Sequence, residues 1–480
     1  MKFLNGQMPL NDLTYNDVFL VPGFSKLNSR FDADLSPVDN VGTSVPIVVA
    51  NMNAVAGKRM AETVARRGGI VVLPQDIPLP SLENIVKYVK TRHAVYETPL
   101  SLKPENTIAD ALNIIYKRAH EATVITNDAN EPIGIFKAKD AAGFDTFTSL
   151  QEVMTRDVLV IHEGLTPREM FDFLHQNRLT IAPVIGKDKK MVGIMTQKGA
   201  VRSDIYRPAV DVKKKLLVAA ALGINGDIEG RAAKLIAMGV DIVVLDTAHG
   251  YQEKMIQAIK TVRKAYPSIQ IVAGNVVTAE ATQALIEAGA SIIKVGVGPG
   301  AMCTTRVMTA YGRPQFSAVL ECAAMASKLG AHVWADGGIR YPRDVVLALA
   351  AGASSVMWGS MFAGTYESVG DVLRDNNGQL YKENYGMASR RAVKNRNASS
   401  SAFEIAKKEF FEEGISTSKQ YINPVRPSAE DIIDYVTAGL RSAMSYSGVE
   451  SLKDFHEAAT VGIQSASGYQ EGFALAESWD

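Results

Sequence analysis

Cys303 stands in the run Gly296-Val297-Gly298-Pro299-Gly300-Ala301-Met302-Cys303-Thr304-Thr305-Arg306. Three glycines and a proline within five positions force a tight turn with exposed backbone rather than a helix. Carbonyls projecting from such a turn can hold a monovalent cation, and its amides can approach an anion. A cysteine at its end presents its thiol outward, with two threonine hydroxyls beside it. Free cysteines are usually small buried apolar residues; Cys322, on the helical-period segment Phe316 to Lys328, fits that description. Cys303 does not, because a core cysteine sits on a strand or helix. These two are the chain's only cysteines, too few for a disulfide framework or a structural zinc site.

The elements that must position this turn follow a repeating pattern. Short β-rich apolar runs occur near Ile47 to Ala50, Ile70 to Leu73, Leu216 to Ala220, Ile242 to Leu245, Ile271 to Ala273, Ile292 to Val295, His332 to Ala335 and Ser355 to Trp358. Helical-period segments follow most of them, among them Gly57 to Arg67, Asp227 to Met238 and Glu253 to Ala265. Eight βα units close a barrel, so the expected fold is α/β, a (β/α)₈ barrel. Most runs end in small, polar or acidic residues: Asn51, Asp246, Gly274 with Asn275, Gly296, Asp336 with Gly337, and Gly359. In a barrel these gather on one rim, where active sites are built.

About 140 residues separate the second and third runs, far more than a βα loop needs, so an inserted domain is expected there. Within it Thr107, Val124 and Gly134-Ile135 recur 59 residues later as Thr166, Pro183 and Gly193-Ile194. Each copy reads as a helix, an apolar strand, a polar turn and a second strand. The expected division is therefore barrel over 1–94, insertion over 95–205, and barrel again over 206–480. The stretch from Gly364 to Val425 is rich in Gly, Asn, Ser and charge and reads as a mobile loop over the rim, with a flap at about 365–425. Ala429 to Tyr446 reads as a final helix, and the chain after Glu457 as poorly ordered.

The eleven residues around Cys303 resemble the catalytic-cysteine loop of the IMP dehydrogenase and GMP reductase family. So do Leu13-Thr14-Tyr15-Asn16-Asp17-Val18, Asn51-Met52, Leu245-Asp246-Thr247-Ala248-His249-Gly250, Ala273 to Thr278 and Asp336-Gly337-Gly338-Ile339-Arg340. The insertion resembles a tandem pair of cystathionine-β-synthase-type (CBS) modules, whose ribose-holding Thr/Ser and Asp stand here as Lys137 with Asp140 and Thr196 with Gly199. The resemblance implies that Cys303 bonds purine carbon 2, that Thr305 is its proton-transfer partner, and that Glu413, before Gly414, is the carboxyl paired with Thr305. It implies a monovalent cation such as potassium on the backbone carbonyls of Gly298, Gly300 and Cys303. Asp336 would hold the ribose, since a carboxylate suits a diol. The phosphate would rest at Gly337, Gly338, Gly359 and Ser360, as in other barrels. Met52, Asn275, Ala301, Tyr385, Gly386 and Met387 complete the implied substrate contacts, and Asp246, Thr247, Ala248, Gly296, Val297 and Gly298 face the nicotinamide cofactor. Family members usually carry serine at the position of Ala301, so phosphate binding here is expected to rest more on backbone amides.

The family's two activities share the covalent purine intermediate: the dehydrogenase adds water at carbon 2, the reductase expels ammonia. Activating water takes an Arg-Tyr pair on the flap, and Ala388 to Glu413 contains no tyrosine; Arg340-Tyr341 lies after the seventh strand and cannot serve. Expelling ammonia needs an acid instead, and a carboxyl coupled to a hydroxyl can pass that proton. Leu380 to Ser389 and Gly439 to Tyr446 also resemble the reductase branch. The implied activity is NADPH-dependent conversion of GMP to IMP and ammonia. IMP oxidation with NAD is the second reading, favoured by the commoner occurrence of CBS modules among dehydrogenases. A flavin-dependent barrel oxidoreductase and a non-enzymatic nucleotide sensor remain open as other classes.

Composition narrows the partners. Hydrophobic residues make up 47% and charged residues 21%, within the soluble globular range. With 51 basic against 51 acidic residues there is no excess charge to drive binding to nucleic acid, which leaves small ligands; the CBS resemblance implies regulatory purine nucleotides at the insertion, with a purely structural module as the alternative. The apolar runs are too short to span a membrane and the first ten residues lack a secretory pattern, so a cytoplasmic protein is expected. The resemblance implies a homotetramer, which in this family can pair into an octamer.

Overall fold

The computed structural model describes residues 1–387, 389, 392, 403, 406, 407, 414, 415 and 417–474. Eight parallel strands close a ring: Ile47–Val49, Ile70–Leu73, Ala219–Leu222, Ile242–Asp246, Gln270–Val276, Ile292–Val295, His332–Asp336 and Ser355–Trp358. They run around the barrel in chain order, and the eighth pairs with the first. These segments are nearly all Val, Ile, Ala and Leu because both faces are covered, as a parallel sheet requires. Alternation along each strand divides the core in two. Val48, Val72, Val244, Val272, Ile292, Trp334 and Met357 form a cluster that fills the ring. Their neighbours Val49, Leu73, Leu245, Ala273, Val295 and Ala335 pack with residues of the surrounding helices. An outer helix follows each strand, in order Lys58–Arg66, Leu79–Lys90, Ile228–Ala237, Glu253–Ala265, Ala279–Glu287, Gln315–Lys328, Pro342–Ala350 and Ala429–Ser447, with short helices Thr305–Thr309 and Ser360–Ala363 in the loops after the sixth and eighth strands. Among the described residues no helix is long and apolar enough to cross a membrane.

The third strand is displaced from its expected place. Leu216 pairs with Val210 and the Leu217 amide with the Ala209 carbonyl, so the apolar run begins outside the ring. Ala219 is the first residue to pair with both Val72 and Ile242. The run from Leu216 to Leu222 is apolar throughout, so hydrophobicity alone does not mark where barrel pairing starts.

Between the second and third barrel strands lie two three-stranded sheets of the same design. One is built from Ser101–Leu102, Ala122–Thr126 and Pro132–Lys137, the other from Ile161–His162, Ile181–Ile185 and Met191–Thr196. Each has a capped helix: Thr107 with Asp110 for Ile108–Ile115, and Thr166 with Glu169 for Pro167–Gln176. Such reciprocal caps satisfy the free amides of a helix start. The copies share an apolar cluster of Ala122, Val124, Ile181 and Ile194, which accounts for their pairing.

Two segments read as loop or as poorly ordered contain strands among the described residues. Within 364–425 the described residues include an antiparallel sheet of Leu373–Arg374, Leu380–Asn384 and Ser418–Tyr421, with Tyr381 opposite Tyr421. Its inner face is held by Lys382, which is buried and donates to the Tyr366 and Ser368 carbonyls at 2.9 and 2.7 Å. Polar composition marks this segment because its core contacts are hydrogen bonds rather than apolar side chains. Beyond Glu457, strand Thr460–Ile463 pairs with both Lys2–Phe3 and Val18–Leu20, and Val461 is fully buried.

Candidate active site

Strand parity builds the floor of the site. Asp246, Gly274 and Lys294 lie opposite one another on the fourth, fifth and sixth strands. Each is two residues beyond an inward apolar residue, Val244, Val272 and Ile292, so all three face the ring. Asp336 stands in the same relation to Trp334 on the seventh strand. Because Gly274 has no side chain, the lysine can cross the gap to the carboxylates on either side. Its Nζ is 2.9 Å from Asp246 Oδ1 and 2.6 Å from Asp336 Oδ2, and its side chain is almost fully buried. Burial opposes the lysine's charge, but the two carboxylates outweigh it and hold the ammonium above its ordinary range. Two amides complete the array: Asn51 Nδ2 donates to Asp246 Oδ2 at 2.7 Å, and Asn275 Nδ2 to Asp336 Oδ2 at 2.9 Å.

The turn carrying Cys303 starts where the sixth strand ends. Gly296 donates to Val276, and its carbonyl accepts from Asn275 Nδ2 at 2.6 Å, which ties the turn to the floor. The Cys303 amide donates to the Gly300 carbonyl at 3.0 Å. The Cys303 side chain is exposed at the strand ends, and its thiol donates to Thr305 Oγ1 at 3.1 Å. A nucleophile with a hydroxyl within reach to relay its proton is the arrangement covalent catalysis needs.

The remaining expected residues divide into those that touch this turn and those set back from it. Gly337 and Gly338 have φ of +90° and +80°, open to glycine without strain, and lie against Gly300 and Pro299. Gly359 faces Met52, where a Cβ would come 2.5 Å from the methionine sulfur. Ser360 begins the short helix Ser360–Ala363 and is partly exposed. From the flap side, Gly386 bonds the Ile415 carbonyl and packs on the Met302 carbonyl, while Ser418 Oγ lies 3.6 Å from Met302 Sδ. Tyr385 is set back, buried against Ala54 and Ala392, and Met387 is partly exposed beyond it. Ala301 is exposed in the turn. Thr247 exchanges backbone bonds with Gly274 and Asn275, which places the Asp246-Thr247-Ala248 loop beside the fifth strand's end. Val297 is tied to the Arg313 amide, and Gly298 lies against the Arg306 side chain. Glu413 lies outside the described residues.

Lys294 and the role of Asn51 escaped the sequence reading. The signal was available: Lys294 is a charge inside a four-residue buried strand, two positions after Ile292. Counting inward positions along that strand places its amine in the ring.

Comparison with known proteins agrees with this geometry. The profile of the IMP dehydrogenase / GMP reductase domain matches residues 12–474. The chain belongs to this family. It is 52% identical over 479 residues to a protein named GMP reductase from Mycobacterium tuberculosis, covering 100% of both chains. It is 37% identical over 456 residues to inosine-5′-monophosphate dehydrogenase of Staphylococcus aureus, covering 93% of this chain and 92% of that one. A crystal structure of a Cys-to-Ala variant of GMP reductase from Trypanosoma brucei, in complex with guanosine 5′-monophosphate, superimposes with a TM-score of 0.69. That likeness is at 30% identity and covers 98% of this chain and 99% of that one. An oxidoreductase of the family is the coarse identity these similarities establish.

Proposed function

We propose that this chain is a GMP reductase, converting GMP to IMP and ammonia with NADPH in purine salvage. The observation that carries this reading is the 52% identity over full length to proteins named GMP reductase, against 34–37% for the dehydrogenases. The missing tyrosine between Ala388 and Glu413 supports the same direction.

In this mechanism Thr305 relays the Cys303 thiol proton to Glu413 and the sulfur attacks carbon 2 of the bound guanine. Thr305, backed by Glu413, returns a proton to the departing amine, and the carbon–nitrogen bond breaks to give ammonia and a thio-linked purine. A nicotinamide cofactor held against Asp246, Thr247, Ala248 and Gly296 to Gly298 would supply the hydride that carbon 2 needs before the carbon–sulfur bond breaks to release IMP and the thiolate. Asp336 accepts the ribose hydroxyls: its Oδ2 bonds Lys294 and Asn275, while Oδ1 has no hydrogen-bond partner among the described residues and is left for the ligand. Backbone amides at Gly337, Gly338, Gly359 and Ser360 hold the phosphate, Met52, Asn275, Ala301, Tyr385, Gly386 and Met387 surround the rest of the nucleotide, and Asp246, Thr247, Ala248 and Gly296 to Gly298 face the cofactor. The carbonyls of Gly298, Gly300 and Cys303 are uncharged oxygen donors of the kind that suits potassium, which would brace the turn.

Residues 95–205 form the tandem CBS module, a place for regulatory purine nucleotides. Of the two ribose-holding pairs, Asp140 bonds the Lys137 amide, and Thr196 caps its helix while donating to Glu97. The active form is a cytoplasmic homotetramer, able to pair into an octamer.

The deciding experiment is NADPH oxidation with GMP, with ammonia and IMP measured in parallel. Equimolar loss of NADPH and gain of ammonia is expected. Robust NADH formation from IMP and NAD⁺, without GMP turnover, would instead identify a dehydrogenase.

A further inference from the structure

Lys294 is the one charged side chain of the barrel floor to which the mechanism above gives no task. It donates a hydrogen bond to the carboxylate assigned to the ribose and forms an ion pair with the one assigned to the cofactor. The amides of Asn51 and Asn275 hold those carboxylates from the other side. Of the four acceptor oxygens, Asp246 Oδ1, Asp246 Oδ2 and Asp336 Oδ2 are engaged, and Asp336 Oδ1 is not. The lysine therefore fixes which oxygen faces the ligand.

Without the lysine, two carboxylates bound to a single nitrogen would face each other in a partly desolvated ring. Like charges so placed repel, and Asp336, held by Asn275 alone, would turn from the orientation that aims its free oxygen at a ribose hydroxyl.

We propose that Lys294 is a positioning residue serving both ligand subsites, holding Asp336 aimed at the ribose diol while holding Asp246 toward the cofactor. This rests on the assignment of ribose to Asp336 and cofactor to Asp246. It differs from a purely structural ion pair in a definite way. A structural pair sets stability alone, whereas a positioning lysine sets the preference for a ribose over a deoxyribose.

The test is calorimetric titration of the full-length chain carrying Cys303→Ala, which removes the nucleophile, with GMP, 2′-deoxy-GMP and NADPH. This parent is expected to prefer GMP. Adding Lys294→Met is expected to weaken both GMP and NADPH by about tenfold or more and to bring the GMP to 2′-deoxy-GMP ratio close to one. Asp336→Asn is expected to weaken GMP alone and Asp246→Asn NADPH alone. Lys294→Arg keeps the charge and retains part of the preference. The pair Lys294→Met with Asp246→Asn removes the second carboxylate and its repulsion, so Asp336 resumes its orientation and the preference returns. A Lys294→Met protein with unchanged circular dichroism and an unchanged nucleotide ratio overturns the proposal. Should Lys294→Met fail to fold, the paired variant decides: restored preference supports the proposal, and continued indifference overturns it. A parent that binds the two nucleotides equally overturns the ribose assignment itself, and the inference with it.

Discussion

Two clusters of buried charge in this molecule serve opposite ends. At the barrel mouth one lysine bridges Asp246 and Asp336, and the atom left over is a carboxylate oxygen. At the junction of the barrel with the insertion, Glu62 is fully buried and bonds Arg66, Arg118, Tyr88 and Thr98. Beside it Arg67 reaches Glu430, and Arg202 reaches Glu430, Asp431 and Asp434. There the atoms left over are donors, Arg67 Nη2, Arg118 Nε and His120 Nε2, near a cavity of about 20 Å³ lined by Arg66, Arg118 and His120. That volume holds one water and no nucleotide. Buried charge alone therefore does not mark a reactive site; what separates the two clusters is that the Asp336 side chain is 19% exposed at the strand ends while Glu62 is fully enclosed.

The comparison breaks first at Cys303. Cys303→Ala is expected to lower kcat by roughly 10³-fold or more, because the covalent route is lost, while GMP binding stays measurable by calorimetry. Substitution at the junction should do the reverse. Glu62→Gln leaves Arg66 and Arg118 without their carboxylate and should cost about 3–5 kcal/mol in urea unfolding, with turnover per folded molecule unchanged. Burial alone would raise the Glu62 pKa, but the charges of Arg118 and Arg66 outweigh it and hold it at about 2. Its folded value lies below its unfolded one. Its contribution is therefore present above about pH 4.5 and lost as pH falls toward 2, a loss the Gln variant should lack.

Gly274→Ala sharpens the distinction from within the site. The new Cβ would meet the Lys294 carbonyl oxygen and lie 2.8 Å from the Lys294 Cβ. Overpacking of this kind costs about 1–3 kcal/mol, and displacing the lysine should lower kcat/KM by about 10²-fold. A smaller effect belongs to Lys382, whose pKa burial, and next the charge of Arg59, lower to about 7. A lysine with a lowered folded pKa binds fewer protons folded than unfolded between pH 7 and its ordinary value. Stability relative to Lys382→Met should thus rise by roughly 1 kcal/mol per pH unit across pH 7 to 10, read from urea midpoints.

How much of this was legible in the chain differs by region, for physical reasons. The barrel announced itself because a parallel sheet covered on both faces leaves eight apolar runs, and turns of glycine and acid mark their ends. The Cys303 turn was legible because its glycines permit one kind of backbone. The third strand's start was not, since residues pairing outside the ring are as apolar as those within it. Lys294 was overlooked because its strand reads as hydrophobic on average and only its parity turns it inward. The sheet over the rim was hidden because Lys382, Asn384 and Tyr381 hold it by hydrogen bonds and a ring contact, which composition does not reveal. The residues after Glu457 looked unremarkable because their strand is four residues long and its partners lie more than 400 positions away.

That last pairing has a consequence for how the protein is made. Lys2–Phe3 and Val18–Leu20 have no sheet to join until Thr460–Ile463 has left the ribosome. At about 5–20 residues per second, the opening segment waits roughly tens of seconds for its partner. The segment from Lys2 to Leu20 is thus among the last parts to settle, because its partner strand is made more than 400 residues after it.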